Sequence, residues 1–161
     1  MKKPLILFAF AAAIAPVTLV AIHQQADARP VYIDEDVSPA AVGGYDTVSF
    51  FRGTGEPVKG SKKFSVKYDG RAYYFASAEN AKAFKANPTA FAPQYGGHCA
   101  WAMSRGRLAP GDATIYKIVD GKLYLNFNKQ VQTTWLKDVP GFISKANTAW
   151  PTIPDDAEFG A

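Results

Sequence analysis

The sequence predicts an α+β fold in which two β-hairpins build a small antiparallel sheet, each hairpin is followed by a helix, and the helices pack on one face. Three observations lead there. Residues 63–68 (Lys-Phe-Ser-Val-Lys-Tyr) alternate polar and apolar side chains, the period of a half-buried strand. Asp69-Gly70 then suits the two positive φ angles of a type I′ turn, whose twist matches the strands on either side. The arrangement also recurs: Gly70 and Gly121, Tyr73 and Tyr124, Ser77 and Asn128, Phe84 and Trp135, and Phe91 and Phe142 are each 51 residues apart.

In chain order, residues 1–28 read as a secretory signal peptide. Lys2 and Lys3 make a positive start, residues 5–22 are apolar apart from Pro16 and Thr18, and Ala26-Asp27-Ala28 has the small-x-small form of a signal-peptidase site. An uncleaved anchor is the competing reading, because the run approaches the roughly 18–20 residues that span a bilayer. Pro16 and the cleavage site favour removal. A periplasmic or secreted protein with no stable membrane insertion is then expected. Residues 29–42 carry Pro30, Asp34, Glu35, Asp36 and Pro39 without periodicity and read as a linker or N-terminal arm. The domain proper is expected over 43–151, ahead of an acidic tail over 152–161.

Residues 45–51 (Tyr-Asp-Thr-Val-Ser-Phe-Phe) are rich in β-branched and aromatic residues and predict a short strand or extended segment. A Gly- and Pro-bearing loop over 52–60 leads into the first hairpin. Ser77 is placed to cap a helix over 78–86, with Glu79 favourable to its dipole and Asn87-Pro88 stopping it. In the second copy residues 114–119 and 122–125 flank Asp120-Gly121, and Asn128 caps a helix to about Lys137. A last helix is expected over 141–150. Buried aromatics Phe84, Phe91, Trp101, Trp135, Phe142 and Trp150 are expected to form the core, so aromatic richness reads as packing rather than as a cofactor box.

The composition sets bounds. A chain of 161 residues has room for one domain. Removing the leader takes two lysines and one aspartate from a formal charge of +4, leaving +3, and the basic residues are scattered; nucleic acid is therefore not an expected partner. No Gly-x-Ser-x-Gly, Cys-x-x-Cys or phosphate-binding loop occurs. A single cysteine, Cys99, excludes an internal disulfide and leaves a thiol that is buried, paired with a partner, or reactive.

Most of the chemistry sits in one stretch, residues 93–104, which reads as an insertion between the two hairpin-helix units. Gly96-Gly97 precedes His98 and Cys99, and residues 99–104 have helical character. A cysteine in the first turn of a helix is favoured as thiolate by free amides, and a protonated His98 would favour it further. Met103 lies four residues on, so His98, Cys99 and Met103 form a soft donor set of the kind copper accepts. Against both stands the small buried hydrophobe that free cysteine usually is. Asp46 is the carboxylate best placed to approach Cys99, or else a turn cap bonded to backbone.

These residues resemble a known family. Tyr68-Asp69-Gly70, Tyr73-Tyr74-Phe75, Ser77, Phe84, Asn87-Pro88 and Phe91 are similar to the YHS domain, a short module named for a Tyr-His-Ser motif and found beside copper-transporting ATPases and other metal-handling proteins. Residues 44–51, Gly60-Ser61, residues 93–100 and residues 120–126 further resemble a subfamily of small exported bacterial YHS proteins, so the likeness covers about 43–151. Metal-binding YHS modules carry cysteines where this chain has Asp46-Thr47-Val48, Ala76 and Asn80, and Asp69 stands where the name-giving His would be. A multi-thiolate site is not implied. Cys99 does carry over, and some relatives have selenocysteine there, which implies redox chemistry.

Three readings follow. Cys99, with His98, is a redox-active thiol that needs an external redox partner protein to resolve it. Alternatively, His98, Cys99 and Met103 bind a copper-type metal. Or the chain is a non-catalytic interaction domain with Cys99 in its core.

Overall fold

The computed structural model describes residues 30–52 and 56–157; the leader expected at 1–28 lies outside the described residues. Strands β1 (Ser61–Tyr68) and β2 (Arg71–Phe75) pair antiparallel, with Tyr68 opposite Arg71. Strands β3 (Asp112–Val119) and β4 (Lys122–Asn126) do the same, with Val119 opposite Lys122. Both two-residue turns are type I′: φ is 47° and 72° at Asp69 and Gly70, and 49° and 70° at Asp120 and Gly121. Each ladder breaks register once, between Ser61 and Ser65 in one and Asp112 and Asp112's fourth neighbour Tyr116 in the other. The irregularity thus recurs at the 51-residue offset, and the repeat is one of structure as well as of sequence.

Both post-hairpin helices start at the expected caps. Ser77 Oγ accepts from the Asn80 amide at 3.1 Å to open α1 (Ala78–Ala86). Pro88, which cannot continue α1, opens the short α2 (Pro88–Phe91). After α3 (Ala100–Met103) and the second hairpin, Asn128 Oδ1 accepts from the Val131 amide at 2.9 Å to open α4 (Lys129–Trp135). The last helix, α5 (Val139–Ala149), begins two residues before the expected start. Asp138 caps it by accepting from Gly141, and Pro140 falls in the first turn where no amide is required. No described helix is long and apolar enough to cross a membrane.

The α+β class stands, with one difference in sheet assembly. The hairpins form two separate two-stranded sheets instead of joining into one. The outer edge of β4 is already taken: Pro93 and Cys99 make parallel bridges to Leu123 and Leu125. The chain around the thiol therefore occupies the position a neighbouring hairpin would need.

β4 is also buried on both faces. Leu123 and Leu125 join Val48, Phe50, Tyr73, Phe75 and Phe84 in one cluster, while Tyr124 points into a second with Tyr95, Met103, Trp135 and Ala146. Of the expected core aromatics, Phe84 and Trp135 are fully buried; Phe91, Trp101, Phe142 and Trp150 are half-buried against these clusters. A large apolar side chain fully buried in this way contributes on the order of 1.5–3 kcal/mol.

Residues 45–51 are not a strand. Only Tyr45 pairs, in a bridge to Lys59, after which the chain turns into a short 3₁₀ segment, Ser49–Phe51. The Asp46 carboxylate bends it by accepting from the Val48 and Ser49 amides at 2.9 and 3.3 Å. The β-branched and aromatic residues serve burial instead, with Val48 and Phe50 in the core. The N-terminal arm is packed as well: Val31 and Ala40 to Val42 are buried, and the Tyr32 amide donates to Gly96 O at 3.0 Å.

Candidate functional site

The backbone around Cys99 is built from three successive left-handed residues, Tyr95, Gly96 and Gly97, with φ of 55°, 60° and 86°. Two glycines are suited to this run because a Cβ is disfavoured there. At Gly96 a Cβ would also collide with the Pro30 carbonyl of the arm. The reversal is closed by the His98 amide donating to Tyr95 O at 3.0 Å, and the Cys99 amide donates to Ala109 O at 2.9 Å.

The same construction occurs earlier in the chain. Val42, Gly43 and Gly44 have φ of 58°, 58° and 74°. The Tyr45 amide donates to Val42 O at 3.1 Å, and the Asp46 amide to Val58 O at 2.8 Å. Tyr45 therefore corresponds to His98, and Asp46 to Cys99. The stretch around the thiol is not an insertion between two units, as the sequence suggested. It opens the second unit as residues 42–46 open the first. The offset here is 53 rather than 51, because Asp46 and Gly60 are 14 positions apart while Cys99 and Gly111 are 12 apart.

The two equivalent side chains have diverged. Asp46 is fully buried and spent: beyond the two amides that bend the chain, its Oδ2 accepts from the Ala76 amide at 2.8 Å and from Asn80 Nδ2 at 2.7 Å. Its role is the turn cap, extended to tie the first hairpin to α1. Cys99 is 1% exposed, and its Sγ lies 3.9 Å from Asn126 Oδ1. Asn126 is also fully buried, and its Nδ2 has no hydrogen-bond partner among the described residues. A half-turn of that side chain would present its Nδ2 donor to the sulfur instead.

His98 sits beside Cys99 in the chain but faces the arm. Its Nε2 lies 3.0 Å from the Pro30 carbonyl, and its ring centroid is 5.9 Å from that of Tyr32. Burial lowers its pKa from 6.5 to about 4, against the smaller opposing pull of the Pro30 and Ala109 carbonyls. The imidazole is therefore neutral at pH 7. The expected cationic neighbour for the thiol is absent, because solvation of the imidazolium is lost on burial.

Met103 is fully buried among Tyr95, Tyr124 and Trp135. The three candidate copper ligands thus face three different sets of neighbours: Pro30 and Tyr32, Asn126, and the aromatic cluster. Among the described residues no group of three or more His, Cys, Asp or Glu side chains is arranged to hold a metal. The donor set does not fit a shared copper ion, and no step is derived through one. Sequence reasoning gave no role to Asn126, which it cited only as the last residue of the family-like stretch over 120–126, or to Pro30, which it placed in the arm.

Residues 54–95 match the YHS domain. The YHS domain here comprises the first hairpin, α1 and α2 and ends on Tyr95, the first residue of the left-handed run. His98 and Cys99 lie beyond it. No curated protein and no solved structure matches the chain.

Proposed function

We propose that this chain is an exported single-thiol protein, akin to the small bacterial YHS subfamily that its flanking motifs resemble, in which Cys99 is reversibly oxidised by a small peroxide. The observation that carries the reading is Asn126, a buried amide whose Oδ1 lies 3.9 Å from the sulfur of the chain's single cysteine. Its Nδ2 donor, which a half-turn of the side chain would bring to that sulfur, has no partner among the described residues. An unsatisfied buried amide costs about 1–3 kcal/mol, and a sulfenate oxygen at Cys99 would relieve it.

The step balances with the peroxide as oxidant. The sulfur electron pair attacks one peroxide oxygen, the O–O bond breaks, and the departing hydroxide takes the thiol proton to leave as water. Burial of Sγ restricts the oxidant to a small molecule. Return to the thiol takes two external thiols, since no second cysteine exists. The first displaces water to form a mixed disulfide and the second displaces the first, so the redox partner acts after the segment opens. His98, neutral at pH 7 and turned toward Pro30, supplies no charge to the thiol.

The test is trapping with a sulfenic-acid reagent after peroxide treatment, read by intact mass, with Cys99→Ser as the blank. Labelling of the folded wild type that is suppressed in Asn126→Leu supports the reading. A folded protein whose thiol stays unmodified under conditions that oxidise the urea-unfolded chain refutes it. That outcome would favour the second reading, for which the 1% exposure of Cys99 speaks: a non-catalytic domain with the cysteine in its core. Export is tested separately by the N-terminal residue of the protein recovered from culture, Arg29 being the expected start.

A further inference from the structure

A cavity of about 550 Å³ lies where the two repeats meet; Tyr95 and Gly96 of the left-handed run line part of it, but Cys99 does not. The first hairpin contributes Tyr68, Asp69 and Tyr73, the connection between the units Gln94, the second hairpin Lys122, and the chain after α5 Trp150. The volume falls within the roughly 300–1,000 Å³ of small-ligand sites, and an aromatic wall with a few polar groups is their usual lining.

Asp69 is the informative residue because the repeat supplies its control. Asp69 and Asp120 occupy the same place in the same turn, with φ of 47° and 49°. Asp120 is exposed, whereas Asp69 is half-buried and lines the cavity. Its carboxylate makes no hydrogen bond or ion pair among the described residues. Burial raises its pKa, and its charge adds to burial in raising the Tyr68 and Tyr73 hydroxyls. Turn geometry does not require this carboxylate to be desolvated, since Asp120 makes the same turn in water. A negative group held against aromatic rings is the chemistry that recognises an organic ammonium. Lys122, exposed at the start of β4, adds a positive group on the opposite hairpin.

We propose that this cavity binds a small zwitterion of the amino-acid type, its ammonium held by Asp69 against the rings of Tyr68, Tyr73 and Trp150 and its carboxylate held by Lys122. Cys99 is not part of this site. The test is titration of the folded protein, followed by amide chemical shifts, with L-phenylalanine, L-lysine and glycine betaine. Phenethylamine and 3-phenylpropionate serve as the halves of phenylalanine that lack one charge. At least one zwitterion should shift resonances of Asp69, Gln94 and Lys122, and each half-molecule should bind about tenfold more weakly than phenylalanine if phenylalanine is the binder. Asp69→Asn should weaken binding about tenfold or more. Asn-Gly is itself a favoured type I′ pair, so the turn survives. Asp120→Asn should change nothing, and Lys122→Gln should weaken the zwitterion but not the amine. Absence of binding by all three zwitterions at millimolar concentration overturns the proposal. So does unchanged affinity in Asp69→Asn, or equal loss in Asp120→Asn.

Discussion

Replacing Asp46 by alanine tests the account of how the first unit is closed. The carboxylate is fully buried and accepts four hydrogen bonds, from the amides of Val48, Ser49 and Ala76 and from Asn80 Nδ2, at 2.9, 3.3, 2.8 and 2.7 Å. A hydrogen bond to a charged group contributes about 1.5–3 kcal/mol net, so four counted independently would give about 6–12 kcal/mol. That sum is too large, because removing the carboxylate also removes its own desolvation cost, and the four donors share one acceptor group. The expected loss for Asp46→Ala is about 3–5 kcal/mol, the range for stripping one partner from a buried charged network. Asp46→Asn keeps one acceptor oxygen but turns an NH₂ toward donors, and should lose about 2–3 kcal/mol. Urea unfolding followed by tryptophan fluorescence measures both, as a fall in midpoint at constant slope. A loss below about 1 kcal/mol for Asp46→Ala would refute the claim that this side chain, rather than the packing of Val48 and Phe50, bends the chain.

His98 carries a pH signature: its pKa is about 4 in the fold against 6.5 when solvated. Its burial as a neutral ring leaves stability intact above about pH 6.5 and withdraws it as pH falls towards 4, by about 3 kcal/mol in all at ~1.4 kcal/mol per unit. Urea midpoints at pH 7, 5 and 4 should show the decline and His98→Gln should flatten it; a wild type with the same profile as the variant counts against the assignment. Gly111→Ala should cost about 1–3 kcal/mol by overpacking, because a Cβ there overlaps the Gly97 carbonyl and crowds Leu125. Gly121→Ala has open space and pays only for its φ of 70°, about 1–2 kcal/mol. Midpoints that rank Gly121→Ala as the more damaging change would contradict the close approach of the two backbones.

The hairpins, their turns and their caps were legible because each depends on short-range chemistry. Alternation, Asp-Gly and a Ser or Asn before a helix act within a few residues, and Ser77 and Asn128 cap as their types require. The extended reading of residues 45–51 failed because composition reports burial as readily as strand. Val48 and Phe50 are buried, but Asp46 decides the backbone. The correspondence of Asp46 with Cys99 was hidden by a two-residue difference in the loop that follows and by the unlike chemistry of the pairs Tyr45/His98 and Asp46/Cys99. The two Gly-Gly pairs, each followed by a ring-bearing residue, were the signal available. The neutral state of His98 comes from burial, which prevails over the pull of the Pro30 carbonyl, a contact 68 residues away in sequence that nothing local to His98 announces.

β4 has a consequence for how the chain is made. Leu123 and Leu125 belong to the second hairpin, yet they complete the cluster around Tyr73 and Phe75 of the first hairpin and Phe84 of α1. Synthesis runs from the N-terminus, so the stretch matching the YHS domain emerges with its apolar face uncovered and stays so until β4 follows. That stretch is a half-built core, and during the delay it is a substrate for any holding chaperone. A protein cut after residue 95 should behave as an unfolded chain, and the smallest heritable folding unit is the pair of repeats together.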